Sequence, residues 1–248
     1  MAIGPENRTV YRPAGQAQAV GIDQGLRAYM IGVYNYMGGG LILTGVLAYA
    51  FASTPSLWQL VYQQTDRGLA PTGLGWIVTF APLALILLLN FRIQSMSTAA
   101  VQAIYWVFTA LMGVSLTSVG LLYTGESIAR TFFICAATFL GMSLYGYTTK
   151  RDLTGIGHFL VMGVWGLLVA MVVNMFLASS GLNFAISLLG VLIFTGLTAY
   201  DTQAIKSMYL QSDGRDIAAK KSVMGAVRLY LDFVNLFLFM LRFMGNRR

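Results

Sequence analysis

The chain has 248 residues, of which 57% are hydrophobic and only 10% charged, with a mean hydropathy of +0.68. A soluble domain carries about a quarter charged residues to wet its surface, so this composition excludes a water-soluble fold, and such low charge excludes a disordered chain; the bilayer is the solvent that fits. The net charge of +7 comes from sixteen Lys and Arg that lie mainly between and beside apolar runs, so it reads as membrane topology and not as nucleic-acid affinity.

Residues 1–22 hold Pro5, Pro13, Arg8 and Arg12 with no apolar period, and read as a flexible cytoplasmic tail. They lack the basic start, apolar core and small-residue cleavage site of a signal peptide. Order is expected from Asp23, a candidate N-cap, so that 23–248 forms one membrane domain. Apolar runs follow at 30–52, 74–91, 99–123, 128–147, 156–178, 182–200 and 223–243. Each is long enough for a helix that crosses the hydrocarbon layer, which needs about 20 residues. Continuous runs of this length exclude barrel strands, whose polarity alternates over about ten residues. Seven spanning helices are predicted, with longer connections only at 53–73 and 208–222. Gly38, Gly39, Gly40, Gly45, Gly141, Gly146, Gly163 and Gly166 suit close helix packing in a compact bundle. Pro82 removes a backbone donor inside the second helix and predicts a kink. Cys135 is the single cysteine, which excludes an intrachain disulfide.

With the tail inside, most Lys and Arg fall on the cytoplasmic side, although Arg242, Arg247 and Arg248 then lie outside unless the last segment stops short of a full crossing. Among nine acidic residues, two stand at membrane depth. Asp201 follows the apolar run ending at Tyr200, and Asp232 lies inside Leu229-Tyr230-Leu231-Asp232-Phe233-Val234-Asn235-Leu236-Phe237. A carboxylate at the bilayer centre costs about 2.5 to 3.5 kcal/mol, so both are expected to face the bundle interior. With helices ending near Met208 and starting near Ser222, they stand about 10 and 15 Å above the intervening loop and can meet. Two carboxylates in a low-dielectric pocket do not ionise independently, and the pair titrates in macroscopic steps. The structural alternatives are that Asp232 neutralises Arg228 along one helix face and that Asp201 anchors a helix end.

Other polar residues read as structural. Glu126 pairs with Arg130 and with the dipole of the fourth span; Asp152 caps the fifth. His158 lacks companions for metal binding and suits a helix-interface hydrogen bond. Asn35, Gln102, Asn174 and Asn235 suit hydrogen bonds between helices. Arg92, at the end of the second span, either reaches inward or snorkels to the headgroups. There is no nucleophile elbow, zinc motif or P-loop lysine, so no enzyme activity is expected. An intramembrane aspartyl protease is only half matched, by Tyr200-Asp201.

The stretch Gly196-Leu197-Thr198-Ala199-Tyr200-Asp201-Thr202-Gln203, followed by the segment around Asp232 and preceded by Tyr145-Gly146-Tyr147-Thr148-Thr149-Lys150-Arg151-Asp152-Leu153, resembles the transmembrane Bax inhibitor motif family over most of the chain. The resemblance implies an all-α membrane protein of seven helices with the last helix central, acting as a pH-sensitive calcium leak in a bacterial inner membrane. It implies that Asp201 and Asp232 form the proton-sensing dyad, with Arg92 as latch. The same carboxylates offer hard oxygen ligands to transient calcium, and Arg228, Asn235 and Glu126 are secondary polar candidates. Protons, calcium and the lipid bilayer are then its partners, calcium is a permeant ion, and no cofactor is called for. A second role known among bacterial relatives is non-conducting: binding a membrane quality-control protease, here through the 1–22 tail.

Overall fold

In lipid, an apolar stretch of twenty residues leaves its backbone no water to bond, so it closes its own hydrogen bonds as a helix. The computed structural model describes residues 14–66 and 68–248, with side chains from Gln24 onward. Its helices are α1 (Ala14–Ser53), α2 (Pro55–Val61), α3 (Gly73–Arg92), α4 (Thr98–Ser115), α5 (Thr117–Leu122), α6 (Gly125–Thr148), α7 (Thr154–Leu177), α8 (Ser180–Ser207) and α9 (Arg215–Met244). Seven spans result, with α4 and α5 together forming the third, Thr98–Leu122. The chain is a multi-pass membrane protein.

Much of the expected tail, residues 1–13 and the side chains before Gln24, lies outside the described residues. Helix α1 is assigned from Ala14 and runs through Asp23, which is therefore not its N-cap. The connection after α1 has structure of its own. Short α2 leads into a hairpin of β1 (Tyr62–Thr65) and β2 (Gly68–Pro71), with Tyr62 opposite Pro71 and Thr65 opposite Gly68. Gly68 takes a φ of 105°, which a glycine adopts without a Cβ clash. The Tyr62 hydroxyl donates to the Ser115 carbonyl at 2.7 Å, tying the hairpin to the end of α4.

Pro82 is buried inside α3 and cannot donate to the carbonyl of Val78. The Ser115 hydroxyl donates to that carbonyl at 2.9 Å, so a neighbouring helix satisfies the group the proline frees.

Helix α9 packs on α8, α1, α6 and α4. Over its most apolar 18 residues 67% are buried, against 39% in α8 and 6% in α7, so α9 is the most buried span and α7 the most exposed. Tyr105, Phe108 and Tyr230 are fully buried at the α4–α9 contact. There Tyr230 shares a 2.7 Å hydrogen bond with Thr44 of α1, whose hydroxyl donates to the Thr109 carbonyl at 2.7 Å. At its thirty residues α9 is about 45 Å long, enough to cross the hydrocarbon layer. Its far end returns no further: Arg247 forms an isolated β-bridge with Tyr123, between α5 and α6.

The glycines divide. A Cβ on Gly146 would lie 2.1 Å from the Ala199 carbonyl oxygen, and one on Gly40 2.8 Å from Thr109 Cγ2, so these positions permit the close helix approach expected. Gly38, Gly45, Gly141 and Gly166 instead face open space.

Candidate functional site

Two helix surfaces must come close before two short acids can touch. Helices α8 and α9 are antiparallel neighbours joined by residues 208–214, and small residues line their crossing. A Cβ on Gly190 would lie 2.4 Å from the Phe239 ring, and one on Gly225 3.0 Å from Ile205. The turn is stapled by Lys221, whose Nζ donates to the Met208 carbonyl at 2.9 Å and to Asp213 Oδ2 at 2.6 Å. Helix register then brings the carboxyls of Asp201 and Asp232 within hydrogen-bonding reach of each other. Asp232 is 4% exposed, and its Oδ2 accepts from no partner in the hydrogen-bond network of the described residues. A contact between two carboxyl groups is attractive only while one of them carries a proton, because an ionised carboxylate can only accept.

The cation at this pair is Arg228, one of the secondary candidates. Its Nη1 lies 3.8 Å from Asp201 Oδ1, with the guanidinium side 42% exposed and the Asp201 side chain 17%. Thus Arg228 reaches across to α8, and its attachment is to Asp201 and not the same-helix pairing with Asp232 that sequence spacing offered. Arg92, expected as the latch, is exposed at the end of α3 and forms no ion pair with either aspartate among the described residues. Its position matches the snorkelling alternative.

A row of hydroxyls lies beside the acids. Tyr34 of α1 bonds Ser143 of α6, Ser143 bonds Thr202 of α8 at 3.0 Å, and Thr202 donates to the Thr198 carbonyl at 2.7 Å. The chain ends on a backbone acceptor, so it locks α1, α6 and α8 together next to Asp201. Sequence reasoning missed Tyr34 and Ser143, which carry no local signal. It also missed Gln203, which accepts from the Leu153 N–H at 2.9 Å and donates to the Arg151 carbonyl at 2.8 Å, and Lys206, which donates to the Tyr147 carbonyl at 2.8 Å. These two side chains pin the α6–α7 turn to the end of α8.

The remaining candidates are dispersed. Glu126 sits exposed in the first turn of α6, where the helix dipole favours it, but no pair with Arg130 forms among the described residues; Arg130 Nη2 instead approaches the Met244 carbonyl at 3.5 Å. Asn235 donates to Leu231 of its own helix at 2.8 Å, and Asn174 accepts from the Ser179 N–H at the end of α7, so neither joins two helices. Asn35 and His158 are exposed, while Gln102 does bridge helices, donating to the Tyr36 hydroxyl at 2.6 Å. Asp152 accepts from the Thr154 N–H at 2.9 Å, and the Thr154 hydroxyl and N–H together hold its carboxyl below the usual carboxylate range. Among the described residues no three His, Cys, Asp or Glu side chains converge as a metal site.

Seven spanning helices around a buried acid pair define a class of multi-pass membrane protein with ionisable groups at membrane depth. The sequence profile described as "Inhibitor of apoptosis-promoting Bax1" matches residues 26–248, and the chain belongs to that family. It is 50% identical over 226 residues to an uncharacterised protein of Rickettsia prowazekii (strain Madrid E), covering 91% of this chain and 92% of that one. It is 49% identical over 238 residues to an uncharacterised protein of Caulobacter vibrioides, covering 95% of each. The inner membrane protein YbhL of Escherichia coli (strain K12) is 44% identical over 226 residues, 90% of this chain and 94% of that one.

Proposed function

We propose that the protein is a pH-regulated cation leak in a bacterial inner membrane, with calcium as the permeant ion, its N-terminus cytoplasmic, and Asp201 and Asp232 as the proton-reading gate. The single observation that carries this reading is the facing acid pair, with Asp232 buried, Asp201 partly buried and Arg228 3.8 Å from Asp201. Intramembrane ionisable groups are costly, and proteins keep them where an ion or proton must be handled.

The chemistry follows from counting charge. A pair that shares one proton carries one negative charge, which the Arg228 guanidinium meets as a partly solvated ion pair at 3.8 Å. A second proton neutralises the pair and leaves Arg228 without a partner. Loss of the shared proton sets two like charges face to face. Acidification therefore releases the α8–α9 hold through Arg228, and the closed arrangement gives way to a conducting one. The same carboxyl oxygens are hard ligands for a divalent cation. Two carboxyls supply only part of the about six to eight oxygens that calcium takes, so the ion passes through and does not reside. Protons and calcium then compete for the same oxygens, and no cofactor or catalytic step is involved.

The test is calcium entry into liposomes holding the full chain, recorded from acid to alkaline pH. Wild-type flux is expected to rise on acidification, and Asp201→Asn and Asp232→Asn each to flatten that dependence. Equal flux in wild type and Asp201→Asn at every pH removes the mechanism.

A further inference from the structure

A cavity of about 350 Å³ that neither aspartate lines runs between α1, α5, α6 and α9, within the usual volume range of small-ligand sites. Its α1 wall extends from Leu41 to Ser53, about 18 Å along the helix axis, so it begins at mid-span and ends where the helix leaves the membrane. The inner end is closed by Phe233, Val234 and Phe237 of α9. The one polar side chain at depth, Thr44, is already satisfied by the Thr109 carbonyl and the Tyr230 hydroxyl, so the interior offers a polar ligand nothing. Charge appears only at the outer end, where Arg248 lines the mouth.

That mouth is basic. Arg247 lies over the Tyr123 ring at 5.8 Å and Arg130 approaches Met244, with Glu126 as the acid on the elements that frame it. The Arg248 N–H donates to the Leu122 carbonyl at 3.0 Å, and the Asn246 N–H to Ser127 Oγ at 2.9 Å, which fix the basic segment in place. Tyr49 and Phe132, which line the cavity, are 76% and 41% exposed, so it opens sideways into the membrane.

We infer that this slot seats one acyl chain of an anionic phospholipid, with the headgroup phosphate at Arg248. An apolar shaft aligned with the membrane normal and a cation at its outer end reproduce the polarity gradient of that one ligand. The bilayer presents the chain at the lateral opening, and the guanidinium selects the headgroup.

The shaft stays open because Gly45 and Gly125 carry no side chain; a Cβ on either meets no atom within 4 Å. A larger side chain at either position therefore starts in open space at the cavity wall. The full chain is placed in vesicles of phosphatidylglycerol or phosphatidylcholine, each carrying a photoreactive group on one acyl chain, and crosslinks are mapped by mass spectrometry. Labelling is expected to gather on Tyr49 and Phe237, with phosphatidylglycerol favoured about fivefold. Gly45→Trp is expected to abolish slot labelling while α7 remains labelled, and Arg248→Gln to remove only the headgroup preference. Should Gly45→Trp fail to fold, Gly125→Leu at the mouth makes the same test. Slot labelling absent from the wild type, unchanged by both filling variants, indifferent to headgroup, or obtained only with a photoreactive free fatty acid overturns the inference.

Discussion

Asp232 is 4% exposed, and the charged groups that act on it are one acid, Asp201, and one base, Arg228. Arg228 is partly exposed and attached to Asp201 at 3.8 Å, so its hold is that of a partly solvated ion pair, worth about 0.5–1 kcal/mol. Arg228→Gln is therefore expected to raise calcium flux at neutral pH by about two- to fivefold and to blunt its rise on acidification. Arg228→Lys should retain part of the control, and Arg92→Gln should leave flux unchanged. A liposome assay in which Arg92→Gln opens the leak and Arg228→Gln does not would return the latch to α3. The two aspartates were legible because a charge inside an apolar run is conspicuous. The identity of their cation was not: spacing along α9 shows that Arg228 can reach Asp232, whereas only the rotation of α8 against α9 reveals its contact with Asp201. Asn235 and Asn174 were misread for a related reason, since a polar side chain in a helix can bond its own backbone as readily as a neighbour.

Helix contacts set how firmly the acid pair is held. Gly146 of α6 lies against the backbone of Ala199, two residues before Asp201, with a Cβ contact of 2.1 Å to the carbonyl oxygen and 2.8 Å to its carbon. Backbone cannot give way as a flexible side chain does, so Gly146→Ala must separate α6 from α8, at a cost of about 1–3 kcal/mol. Thermal unfolding in detergent should fall by about 2–4 °C for each kcal/mol lost. Gly141→Ala, one to two turns away and facing open space, should melt at or slightly above the wild type; equal melting of the two variants would show that the α6–α8 contact is not close-packed. All seven spans were legible from apolar run length, and their polar ends were not. Helix α9 begins at Arg215, earlier than the run at 223, because Arg215, Asp216, Lys220 and Lys221 form solvated turns that carry no hydropathy signal. Likewise α2 and the hairpin lie in a segment too short and too polar to register as a span. The Ser115 donor that satisfies the carbonyl left by Pro82 comes from another helix, so a proline alone could not disclose it.

Across the molecule, burial falls from α9 to α7, and the acid pair sits on the two most buried spans. This arrangement keeps a charge-bearing pair out of lipid while leaving Arg228 partly exposed at its edge. The C-terminal end of the same helix bears the basic segment around Arg248 beside the apolar slot, whose α9 wall starts at Phe233, the residue after Asp232. Composition and topology were legible in the sequence; the slot was not, because it is made by residues of four helices that share no motif. Isotope-edited infrared titration of the aspartate carboxyl stretch, with the full chain in lipid vesicles, tests the shared proton directly. A coupled pair binds its two protons in two separated steps in the wild type, while Asp201→Asn and Asp232→Asn each show a single step. Two carboxyls that titrate together in the wild type, each at the same pH as in the single variants, would contradict the shared proton and with it the gate.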